Sequence, residues 1–170
     1  SSAASDVYKR QILYGFDPSD EVRFGIFRPV MKLKTIVSMV KEMQPGQCAS
    51  YGRRFTAEKP TKVATLCTGY ADGYPRLLSC GKGIVEIKGR PCPVLGRVCM
   101  DQIMVDVSAL PDVQEGDEAI LWGGTVSDSA EDIARKTDTI TYEVLCGVSR
   151  RVPRVYLENG GIKAVEDWIL

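Results

Sequence analysis

The chain has 170 residues, 44% apolar and 26% charged, with 22 basic side chains against 22 acidic ones and no histidine. That length and composition fit one globular domain, or two small ones, able to bury a core. Balanced charge argues against nucleic acid as a partner, and no apolar run approaches the ~20 residues of a membrane span. Lack of histidine excludes a Ser-His-Asp or Cys-His pair and a His-based zinc site, and no metal site is expected. Proton transfer would fall to Tyr, Lys, Cys, Asp or Glu.

Residues 1–11 are polar and low in complexity, and are read as foreign to the fold or as a disordered tail. They show no apolar signal-peptide core. Residues 12–29 read as a strand end followed by a loop, with Pro18, Ser19 and Asp20 as turn formers. Alternation of Val30, Leu33, Ile36, Val37 and Val40 with Lys32, Lys34 and Ser38 predicts a strand. The turn Gln44-Pro45-Gly46-Gln47 would join it to a second strand, Cys48 to Phe55, in a hairpin. Further strands are predicted at 62–68, 83–87, 93–99, 102–107 and 118–122. Short strands spaced by turns suggest an antiparallel sheet or closed barrel. Ser127-Asp128-Ser129 can cap a helix through Ala130, Ile133 and Ala134, with acids early and Arg135 and Lys136 late. Thr141–Val148 reads as a second short helix. The segments 152–157 and 161–165 flank Asn159-Gly160, a strong hairpin signal.

The six cysteines form no C-x-x-C pair. Cys67, Cys99 and Cys146 lie in apolar strings and read as small buried hydrophobes. Free thiols in a reducing cytoplasm are expected in preference to disulfides.

Four strings carry the chemistry: SYGRRF at 50–55, GYADGYPR at 69–76, GRVCMDQ at 96–102 and TYEVLCGVSRRVPRVY at 141–156. Tyr51, Tyr70, Tyr74 and Tyr142 lie near element boundaries. A phenol acting as a base needs cations or donors beside it, and Arg53, Arg54, Arg76, Arg97 and Arg150 are candidates for that field. Taken alone, each tyrosine reads as an amphipathic packing residue. Met100 reads as core and Asp101 as a turn former, yet a backbone N–H at such a bend can receive a carboxylate. GYADG lacks the spacing of a nucleotide loop.

Together, in this order and spacing, the strings resemble the pyridoxal-phosphate-dependent alanine racemases, along with VMKLKTIV and PGQCASYGRRFTA, from about Ile12 onward. The resemblance implies a mainly β fold: a closed, Greek-key-like antiparallel β barrel with two short helices. It implies that 30–170 are the C-terminal β domain and 12–29 a remnant and linker of the (β/α)8 domain, otherwise absent with its Schiff-base Lys. The 170 residues alone are therefore expected to be inactive and to expose apolar surface. By the same resemblance Tyr51 is the catalytic acid/base on one face of the substrate Cα. Met100 receives the substrate carboxylate on its backbone N–H, with Tyr70 at the inner substrate entrance. Tyr142 binds the phosphate of pyridoxal 5'-phosphate, and Arg76, Arg97, Asp101 and Ile140 form the outer entrance. A cytoplasmic homodimer with a shared active site, making D-alanine for the cell wall, is implied. Racemases of serine, lysine or broad specificity, and a non-catalytic racemase-like module, remain alternatives.

Overall fold

A computed structural model of the chain describes residues 12–17 and 24–168. The expectations for 1–11 and for the turn at Pro18, Ser19 and Asp20 lie outside them. Six strands close an antiparallel barrel in the order β1-β4-β7-β6-β5-β8. These are β1 (Leu33–Met43), β4 (Thr61–Leu66), β5 (Ile84–Ile87), β6 (Arg90–Leu95), β7 (Ile103–Asp106) and β8 (Glu118–Trp122). β1 is long enough to close the cylinder by itself. Its first half pairs with β8 and its second half with β4, with a register shift between Val37 and Met39. Such a bulge bends a strand and increases its twist, as a closing strand requires.

Period-two alternation divides the apolar residues between two cores. Ala64, Val94, Ile103 and Val105 point into the main core, with Leu121 and Trp122 of β8. Their neighbours Val63, Leu95 and Met104 point outward into a smaller cluster with Met43, Ala49, Phe55 and Ala57. That outer cluster seats a two-stranded ribbon, β2 (Cys48–Ala49) with β3 (Phe55–Thr56), on the barrel wall.

The ribbon corrects the expected continuous strand from Cys48 to Phe55. A 3₁₀ turn at Tyr51–Arg53 interrupts it, and β2 pairs with β3, not with β1. The turn at 44–47 is present, since Gln47 N–H donates to Gln44 C=O at 3.1 Å. It does not close the expected hairpin. Residues 12–13 begin a helical turn, with Gly15 N–H on Ile12 C=O at 3.1 Å, where a strand end was expected. β6 begins at Arg90 and ends at Leu95, earlier than the expected 93–99, because Lys88 and Gly89 turn the chain tightly at positive φ of 49° and 71°.

Two helices, α1 (Ala130–Thr137) and α2 (Thr141–Cys146), follow β8. α1 starts as its sequence requires. Ser129 Oγ accepts from Asp132 N–H at 3.0 Å and the Asp132 carboxylate accepts from Ser129 N–H at 2.9 Å, a reciprocal capping box. Ala130, Ile133 and Ala134, one face at i, i+3, i+4, enter the main core with Val144 and Leu145 of α2. Beyond the barrel, β9 (Arg154–Glu158) and β10 (Gly161–Glu166) form the hairpin that Asn159-Gly160 signalled, with φ of 51° and 80° at the turn. Val155, Leu157, Ile162 and Val165 on it are exposed. No described helix is long and apolar enough to cross a membrane.

All six cysteines are free, but only Cys92 is buried; Cys67 and Cys146 are exposed and Cys99 is half-buried, which corrects their reading as buried hydrophobes. Cys67 and Cys146 lie at or just beyond the end of an element, where neighbouring apolar letters no longer imply burial.

Candidate functional site

β4 ends, and β7 begins, at the same mouth of the barrel, since Leu66 pairs with Ile103; β6 ends there too, since Leu95 pairs with Met104. The connections leaving these strands therefore meet, and they contain GYADG and GRVCMDQ. The third connection, SYGRRF, reaches the same rim because the outer apolar cluster holds its ribbon there.

Hydrogen bonds lock the three bends together. Ser50 Oγ donates to Arg97 C=O at 2.9 Å and accepts from Arg97 N–H at 2.6 Å. Ser50 and Arg53 stand at φ of 70° and 51°, conformations that cost energy for residues with a side chain and persist only where neighbours impose them. On the other side, Tyr70 N–H donates to Cys99 C=O and Ala71 N–H to Met100 C=O, both at 3.0 Å. Only glycine fits at 69: a Cβ there would lie 2.2 Å from both the Cys99 and Met100 carbonyl oxygens. Cys99 N–H closes the bend on Gln102 C=O at 3.0 Å.

Between these bends opens a cleft of about 650 Å³, lined by Ser50, Tyr51, Arg53, Met100, Asp101 and Gln102 among others. Tyr51 is 69% exposed and Met100 52%. Both side chains are thus held by ordered backbone yet project into open space. The Met100 N–H makes no hydrogen bond among the described residues. Arg97 is half-buried at this rim, its Nη1 3.9 Å from where a Cβ on Gly52 would lie.

The remaining candidates lie apart from that cleft. Tyr70 lines a smaller one of about 250 Å³, with Gly73, Pro75, Thr139, Glu143 and Gly147 as neighbours. Tyr142 is half-buried in the first turn of α2, and Ile140 is exposed just before it. Arg76 is exposed in a separate 3₁₀ turn, Arg76–Leu78.

Two of the residues considered for this chemistry lie away from the cleft. Tyr74 is wholly buried and cannot act on a ligand; burial and the nearby Asp128 charge hold its phenol far above the usual range. Arg150 does not face the cleft but stacks on Trp168 at 5.7 Å. The cation that reaches the Met100 bend is Arg151, which the sequence reading did not single out. Its Nε donates to Asp72 Oδ1 at 2.7 Å and its Nη2 to Asp101 Oδ1. Only the SRR pair hinted at it, and a pair does not show which arginine turns inward.

Residues 30–156 match the family model for the alanine racemase C-terminal domain. The chain is 48% identical over 162 residues to alanine racemase 1 of Clostridium acetobutylicum, covering 93% of the chain and 42% of that relative. A solved alanine racemase from Clostridium difficile, in complex with cycloserine, superposes with a TM-score of 0.86 at 44% identity, over 93% of this chain and 42% of that one. The alanine racemase of Bartonella henselae with covalently bound pyridoxal phosphate gives 0.73 at 32% identity, over 81% and 38%. The chain thus spans about two-fifths of the length of these proteins. Sequence match and barrel agree, and the chain belongs to the alanine racemase family, of which it carries the C-terminal domain.

Proposed function

We propose that this domain serves an alanine racemase, interconverting L- and D-alanine, and that its cleft is one wall of the active site. The observation that carries the reading is the convergence of an exposed Tyr51 phenol with an unspent Met100 N–H, from two distant segments, on one rigid rim. The rest of the racemase and a second subunit would supply the other wall, so the working form is a homodimer with a shared site.

The residues present suit pyridoxal phosphate and an amino acid at that wall. Arg53 lines the cleft and Arg97 lies at its rim, a backbone donor is available, and the one lining carboxylate, Asp101, is already paired to Arg151. Tyr142, which lies apart from this cleft, would hold the phosphate of the cofactor bound by its own subunit, while Tyr51 and Met100 reach the partner subunit's site. When bound, pyridoxal phosphate supplies an electron sink that makes the substrate Cα–H acidic.

Racemisation requires a proton to leave one face of Cα and another to arrive on the opposite face. Tyr51 holds or takes the proton on one face; a base outside these 170 residues serves the other. The Met100 N–H orients the substrate by its carboxylate, so that Cα presents the correct face to the phenol. Tyr70 borders the inner entrance, with Arg76, Arg97, Asp101 and Ile140 outside it. D-alanine for cell-wall synthesis in the cytoplasm is the role that fits.

The test uses the full-length racemase. Tyr51→Phe removes the transferable proton and keeps the ring. It should lower kcat by about 10²- to 10⁴-fold with a smaller change in KM. In D2O it should retain Cα exchange for one enantiomer while losing it for the other. Turnover and exchange equal to wild type would show that Tyr51 is not the base.

A further inference from the structure

Asp101 poses a physical problem at this wall. It directly follows Met100, whose N–H is to receive a carboxylate, and its side chain is 58% exposed. An unpaired anion there would repel the substrate, weakening it by about tenfold or more near a protein surface.

Arg151 removes the problem. One guanidinium bridges two of the bends, from Asp72 in GYADG to Asp101 in GRVCMDQ. The Asp72 end is an anchor. Its side chain is 15% exposed, its other oxygen accepts Gly69 N–H at 2.8 Å, and its carbonyl accepts Ser149 N–H at 3.1 Å. The Asp101 end is the one a ligand would meet. Hydrogen bonds to Asp72 and Asp101 raise the arginine's pKa further, so the charge is permanent.

We propose that Arg151 is a positioning residue for the substrate carboxylate: it cancels the Asp101 charge beside the Met100 N–H and fixes the bend that presents it. The proposal rests on the racemase reading and adds a residue that acts through Asp101, not on the substrate itself. Exposed ion pairs contribute little to stability, so the effect belongs in KM and not in folding.

Charge cancellation predicts opposite signs for the two partners. In the full-length racemase, Arg151→Met leaves Asp101 unpaired and raises KM for L-alanine about tenfold, with kcat changed less. Asp101→Asn leaves the arginine unpaired and lowers KM. The double variant falls between the singles. A bridge that is merely structural would raise KM in both singles and give no recovery in the double, and that result, or an unchanged KM in Arg151→Met, overturns the proposal. Thermal midpoints identify any variant that folds poorly. If Arg151→Met does, Arg151→Lys, which keeps the charge but loses the fork, is compared with Arg151→Lys/Asp101→Asn, where failure to lower KM again overturns it. A wild-type protein that does not racemise alanine removes the underlying reading, and is recognised before any variant is compared.

Discussion

The inside of the barrel and the rim above it are built on opposite terms. Inside, Val85, Ile87, Ile103 and Leu121 are packed by alternation, and with Trp122 at the end of β8 they are closed off from solvent. At the rim, Ser50 and Arg53 are held at positive φ, Tyr51 and Met100 project outward, and a backbone donor is left unspent. Folding alone rewards the first arrangement and penalises the second. On the proposed reading, the difference separates what this chain does for itself from what it would hold ready for a ligand and for the rest of a racemase.

If the rim is positioned by backbone contacts, the variant that disturbs it most should be the smallest one. Gly69→Ala places a methyl 2.2 Å from two carbonyl oxygens that cannot move without dragging the Met100 bend. Overpacking of this kind costs about 3 kcal/mol, read as a lower urea midpoint in the full-length protein. KM for alanine should rise as well, since the same shift displaces the Met100 N–H. A variant with the lowered midpoint and an unchanged KM would show that the GYADG turn supports the fold without positioning the site.

The two regions also differ in how far the sequence betrays them. β4, β5, β7 and β8 were legible because each is a short apolar run between turn formers, and Ser129 and Asn159-Gly160 announced themselves by local chemistry. β6 was misplaced because Arg90 and Pro91 resemble the end of a turn, although both pair with β5. The partner of β1 was not legible, since closure depends on strands far away in sequence. At the rim, motifs singled out candidate residues but not how they are held. Nothing in the letters shows that Ser50 adopts positive φ, that Tyr74 turns inward while Tyr70 stays at the surface, or that Arg151 and not Arg150 reaches Asp101.

Among the described residues, two interior side chains, Tyr74 and Trp122, bury a polar atom with no partner, and Tyr74 is a means of sharpening the contrast. Its hydroxyl is buried with no hydrogen-bond partner, an arrangement that costs about 1–3 kcal/mol. If it belongs to the packed interior and not to catalysis, Tyr74→Phe should gain about 1 kcal/mol in stability and leave kcat and KM as they were. A destabilised Phe variant would mean that the hydroxyl is satisfied in solution, and a slower one that the interior takes part in the chemistry.

The smallest effect tests whether the interior is closed at all. Burial pushes the Cys92 thiol from 9.0 up to about 11. Across that window the folded chain keeps a proton that the unfolded chain has lost, so unfolding releases one and stability falls as pH rises. The contribution is fully present below about pH 9 and is gone once the pH passes the folded value. Lysines and tyrosines titrate in the same range, so the useful quantity is the difference in urea midpoint between wild type and Cys92→Ala, which should narrow or reverse from pH 9 upward. Alkylation gives an independent reading: a buried, protonated thiol reacts only through opening of the structure. Cys92 should therefore label far more slowly than exposed Cys80, at a rate that rises with denaturant. Equal rates would mean that the barrel wall admits solvent beside β6, and the strained rim would then differ from the barrel beneath it in degree only.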